Sequence, residues 1–164
     1  MASIILREPE LIRQTKANSC WYACLKMLLK WHEGSSTIGD KSVKKLASHF
    51  VPRSYEEIPS GFLAAHNVRV EDENFASVDD IAEFLRLFGP FVGGGKVGKF
   101  FFGKRRFGHA ILIYGVTPEG QVLHHDPTLG ARCKIKGDNY IKLQDGERMY
   151  YFRNPVVEIV GQGS

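Results

Sequence analysis

The sequence predicts an α+β fold, with an N-terminal helical lobe that carries a helix-borne cysteine and a C-terminal lobe built as an antiparallel β-sheet. Three observations lead there. Apolar residues recur at helical spacing up to Phe88, glycines, aromatics and short apolar runs take over from Phe91, and polar turns punctuate that second half. With 164 residues and 43% apolar content the chain suffices for one domain with its own core, residues 1–164.

The elements follow in order. Cys20 to Trp31 is apolar at helical spacing, with Asn18 or Ser19 available as N-cap. Ser42 to Phe50 repeats the pattern at positions 43, 46, 47 and 50 until Pro52 ends it, and Pro59 to His66 reads as a short third helix. Ser77 to Phe88 is the clearest helix, with an N-cap serine, Asp79 and Asp80 in the first turn, and Gly89-Pro90 as a stop. Strands are expected at 91–92, 100–102, 109–116, 122–126, 133–136, 148–152 and 155–160, with Gly137-Asp138-Asn139 and Gln144-Asp145-Gly146 as turns and residues 161–164 as a loose end.

The chemistry lies in Gln14-Thr15-Lys16-Ala17-Asn18-Ser19-Cys20-Trp21. A thiol in the first turn of a helix sits among unpaired backbone N–H groups at the positive end of the dipole, where its thiolate, the reactive form, is favoured. Gln14, six residues upstream, is placed to donate its amide N–H beside the Cys20 backbone N–H, giving two donors for an oxyanion. A cysteine without a base is simply a small core hydrophobe. His109 supplies the base, at the head of the apolar run Ala110 to Val116, and Thr117-Pro118-Glu119-Gly120 is a type I turn returning the chain through Gln121 to Asp126. Centring that turn between Pro118 and Glu119 makes opposing residue numbers sum to about 237. Asp126 then faces Ile111 and shares a sheet face with His109, while His125 falls on the opposite face. A bulge or an odd loop would exchange the faces.

At Gln14, Cys20-Trp21, His109-Ala110 and Asp126 the chain resembles the papain-like cysteine peptidases, in particular the small avirulence-type effector proteases and papain-fold toxin domains of bacteria. The Cys-Gly-[Ser/Ala]-Cys-aromatic signature of the lysosomal and plant enzymes is absent, since Ala17, Asn18 and Ser19 stand in its place. The resemblance implies an endopeptidase with a Cys20–His109–Asp126 triad, an oxyanion hole of Gln14 and the Cys20 N–H, and a substrate cleft bordered by Ser19, Trp21 and Gly108. It implies a protein or peptide substrate and neither cofactor nor metal. It also implies a monomer that acts as an effector or toxin on a protein in a recipient cell, held harmless in the producer by lack of substrate, a cognate immunity protein or a folding requirement. The same triad serves any acyl transfer from an amide, so an amidase or deamidase, including a peptidoglycan amidase, is the second reading.

Competing motifs are weaker. Gly93-Gly94-Gly95-Lys96-Val97-Gly98-Lys99 satisfies part of a phosphate-binding loop, but Phe100 replaces the hydroxyl residue and no helix pattern follows, so a glycine-rich loop is expected. Cys20, Cys24, His124, His125, Asp126 and Cys133 offer zinc-binding atoms without zinc spacing, and His124 is a candidate to help orient the base. Lys96, Lys99, Lys104, Arg105 and Arg106, with Phe100, Phe101, Phe102 and Phe107 among them, suggest a basic binding module, yet the net charge is only +4 and no nucleic-acid signature accompanies them. No apolar run reaches membrane length and the start lacks a signal-peptide design, so the chain is expected in the cytoplasm when made, with delivery left to a dedicated secretion system. Three unpaired cysteines fit a reduced thiol enzyme.

Overall fold

A computed structural model describes residues 2–14, 20–33, 63–64, 66–72, 74–96, 108–144, 148–152 and 159–163. In chain order the elements are β1 (Ser3–Leu6), α1 (Cys20–Glu33), β2 (Val68–Asp72), α2 (Val78–Phe88), β3 (Phe91–Lys96), β4 (Gly108–Val116), β5 (Gln121–Asp126), β6 (Gly130–Lys136), α3 (Gly137–Leu143), β7 (Arg148–Phe152) and β8 (Ile159–Gly163). The strands form one antiparallel sheet in the order β2-β7-β3-β4-β1-β8, with β5 on β4 and β6 on β5. The expected α+β class holds. Two strands that the sequence did not announce, β1 and β2, come from the first half of the chain and pair with β4, β8 and β7.

α1 is buried on nearly every side: Cys20 to Leu25, Met27 to Leu29 and Trp31 all lie in the core. A helix apolar around its circumference has to be surrounded, and α1 lies against β3, β4 and β7. Lys30 and His32 in its last turn complement the dipole, leaving its first turn to Cys20. α2 begins as expected. Ser77 Oγ accepts from Asp80 N at 3.2 Å, Asp80 returns the bond to Ser77 N at 2.9 Å, and the Gly89 N–H closes the far end on Leu85 O. Phe84 on α2 packs on Phe75, Phe88, Phe91 and Tyr151, with ring centroids 4.8–5.4 Å apart, which ties the helix to the sheet.

Several elements depart from expectation. Gly93 to Lys96 is strand rather than phosphate-binding or flexible loop, paired with β4 so that Gly95 lies opposite His109. The reason is space: a Cβ on Gly93 would stand 2.5 Å from the Tyr140 hydroxyl oxygen. Tyr140 also explains α3, where a turn was expected at 137–139, since its buried side chain anchors one helical turn against the sheet. β6 starts at Gly130 rather than 133, and residues 161–163 are strand, held by β1. The expected helix at 42–50, the strand at 100–102, most of the segments at 59–66 and 155–160, residues 145–146 of the second polar turn, and the cluster Lys99, Lys104, Arg105, Arg106 with its four phenylalanines lie outside the described residues.

The β4–β5 hairpin positions the chemistry. Its turn is type I, with Gly120 N donating to Thr117 O at 2.9 Å and Gly120 at φ 74°, followed by the Thr117 N to Gln121 O bond at 2.9 Å. Three residues form the loop, so the pairs nearest it, Gly115↔Leu123 and Val116↔Val122, sum to 238. Between Ile113 and Gly115 the register shifts, with Tyr114 as the extra residue of a β-bulge, and Leu112↔His125 and Ile113↔His124 sum to the expected 237. The odd loop and the bulge offset each other.

Candidate active site

Cys20 is the first residue of α1 and is 8% exposed. β5 pairs with β4 only from Leu112 onward, so the backbone N–H of Ala110 is left to donate to Cys20 Sγ, at 3.5 Å. Ala110 is one residue past His109, and this contact sets the Cys20 thiol beside the His109 imidazole. Neither the composition nor the spacing announced Ala110, because its part is played by a backbone group. The His109 ring lies near enough to the thiol to lower its proton affinity, and its Nε2 lies 2.9 Å from Asp126 Oδ1. Nδ1 is thus the nitrogen that serves the sulfur. Asp126 is 4% exposed, and the same Oδ1 accepts from Thr128 N at 2.7 Å and Leu129 N at 3.0 Å. Asp-Pro-Thr is a readable signal for such an Asx turn.

The three groups shift one another's proton affinity. Burial alone would raise the Cys20 thiol, but the His109 hydrogen bond, the Ala110 N–H, the His109 charge and the Trp21 N–H together carry it below the ordinary thiol value. Burial likewise opposes charge on His109, and the hydrogen bonds to Asp126 and Cys20 with their charges overcome it, raising the imidazole to about 9. Burial opposes charge on Asp126, and the His109 contact and the turn N–H groups hold it below the usual carboxylate range. The shifts run in one direction: the thiol is drawn down, the imidazole is held up to about 9, and the carboxylate stays ionised beside it. Cys24, one turn below Cys20 and fully buried, is driven the other way by burial, then by the charges of Cys20 and Asp126. Cys133 is raised by burial.

Gln14 is fastened to the same turn. Its N–H donates to Pro127 O at 3.1 Å, its Oε1 accepts from the Thr128 hydroxyl at 2.9 Å, and Arg13 Nη1 donates to Thr128 O at 3.2 Å. Among the other candidates, Trp21 is packed into the core with its ring edge-on to Tyr22, Gly108 opens β4, and Ser19 lies outside the described residues. His124 does not orient the base. Its Nδ1 faces Val122 O at 3.4 Å, and burial lowers its pKa. His125 is wholly buried on the opposite face, with Nε2 at 2.6 Å from Pro9 O and Nδ1 accepting from Arg132 N at 3.1 Å. That pattern fixes the neutral Nε2–H tautomer, and burial keeps it neutral. His125 thus braces the segment that leads to Gln14, a role its parity alone did not reveal.

Comparison with known proteins gives a family and a fold. A sequence family described as papain-like cysteine protease AvrRpt2 matches over residues 4–145. The peptidase domain of Streptococcus ComA, a bi-functional ABC transporter involved in a quorum sensing pathway, has the same fold, with a TM-score of 0.56 at 16% identity over 89% of this chain and 98% of that one. No curated protein matches.

Proposed function

The chain belongs to the AvrRpt2 family of papain-like cysteine proteases, and from that membership we propose that Cys20, His109 and Asp126 are its catalytic triad. The observation that carries the reading is the unbroken series from Cys20 Sγ through the His109 ring to Asp126 Oδ1. Cys20 thiolate attacks the scissile carbonyl, and the Cys20 N–H and the Gln14 amide hold the oxyanion. The imidazolium then gives its proton to the leaving amine, and water, deprotonated by the now neutral His109, hydrolyses the thioester. Asp126 keeps the ring oriented throughout and stabilises its charge.

The substrate of a protease is a protein or peptide. The finer role, a delivered effector or toxin with a cognate immunity protein in the producing cell, draws on the resemblance of the Cys20 and His109 motifs to delivered proteases. Mass spectrometry of recipient-cell lysate treated with the protein should show new peptide ends that Cys20→Ala does not produce. A Gln-to-Glu change without cleavage would replace peptidase by deamidase. Gln14→Ala should lower the catalytic rate roughly 10²–10³-fold with little change in substrate binding, the scale of losing one oxyanion donor.

A further inference from the structure

The turn after Asp126 makes contacts that holding a carboxylate does not require. Thr128 uses three separate groups. Its N–H binds Asp126 Oδ1, its carbonyl accepts from Arg13, and its hydroxyl donates to Gln14 Oε1, at 2.7, 3.2 and 2.9 Å. Gln14 also has its backbone N–H on Pro127 O. A glutamine amide is planar, so a donor that holds Oε1 also restricts the direction of the Nε2–H groups. The backbone contact alone leaves the three side-chain torsions of Gln14 to be settled. The geometry points to Thr128 as a positioning residue: through its hydroxyl it aims the Gln14 amide, and through its N–H it references that aim to Asp126 and so to His109. This rests on the reading of Gln14 as an oxyanion donor.

The test separates the oxyanion from the nucleophile. p-Nitrophenyl acetate needs no peptide groove, and its attack by Cys20 builds an oxyanion. Iodoacetamide alkylates the same thiolate by displacement and builds none. Thr128→Val removes the hydroxyl at nearly constant shape, and it should slow ester acylation roughly 3–10-fold, the range of one modest hydrogen bond, while alkylation stays within about twofold. Thr128→Ser should restore acylation. In a Gln14→Ala background, Thr128→Val should add no further loss.

Equal slowing of acylation and alkylation would mean that Thr128 only supports the Cys20–His109 pair, and would overturn the proposal. So would a Thr128→Val enzyme that acylates at the parent rate while Gln14→Ala is slow, or a full further loss in the Gln14→Ala background. If Gln14→Ala itself acylates at the parent rate, the oxyanion assignment fails and this inference falls with it. Thermal unfolding of each variant shows that the comparison is between folded proteins.

Discussion

At the scale of single residues, the proton affinities of Cys20 and His109 define a working window. The ion pair exists between the depressed thiol value and about 9, where the imidazolium loses its proton. The rate of peptide hydrolysis should therefore rise through the lower limit, hold, and fall near pH 9, with iodoacetamide alkylation reporting the lower limb. For stability the signs are opposite for base and acid. The raised His109 contributes below its unfolded pKa of about 6.5, and its contribution is lost as pH climbs through its folded value. Depressed Asp126 contributes above the ordinary carboxylate pKa and loses its share on acidification. Asp126→Asn should keep more activity than Asp126→Ala, because an amide oxygen still accepts from His109 Nε2 and from the N–H groups of Thr128 and Leu129. Losing the charge should also move the alkaline limb downward, which a pH–rate profile of the asparagine variant would check. Cys24→Ala and Cys133→Ala should remain active, since burial keeps both thiols protonated; iodoacetamide labelling should find Cys20 first.

At the scale of elements, what could be read in advance was what is encoded locally. α2 carries its start, acids and stop within a dozen residues, and Ser77→Ala should cost about 1 kcal/mol in a urea titration, the worth of an N-cap. The β4–β5 hairpin likewise carries its turn chemistry between its strands, so Asp126 could be placed on the face of His109 from sequence. β1 and β2 could not be found this way. β1 pairs with Val116 and Gly115 and with Gly161 to Gly163, and β2 pairs with β7 some eighty residues on, so neither has an adjacent turn to announce it. Gly93 to Gly95 were misread for a related reason: glycine argues against strand by propensity, and only the side chain of Tyr140, on α3, explains why Gly93 is required. Cys20 and His109 could be named from sequence because helix start and strand head are local features. The contacts of the Thr128 hydroxyl and the Ala110 N–H could not be, since each acts on a partner about a hundred residues away.

At the scale of the whole molecule, the segment from Arg7 to Gln14 is a strap between the sheet and α1. Trp31 Nε1 donates to Arg7 O and Arg7 Nη2 to Trp31 O at its start, His125 holds Pro9 midway, and Pro127 and Thr128 hold Gln14 at its end. His125→Leu would leave the Pro9 carbonyl and the Arg132 N–H without their partner. It should lower stability by about 2 kcal/mol or more, seen as a reduced urea midpoint, and slow acylation more than alkylation because the strap ends at Gln14. The bulge at Tyr114 has a mechanical consequence for the same assembly. Register on the site side of Tyr114 is carried by Leu112↔His125 and Ile113↔His124, whereas the turn governs only the pairs beyond it. The spare residue works as a register correction: the one-residue offset set by the loop at Pro118 to Gly120 is cancelled at Tyr114 before it reaches His109 and Asp126.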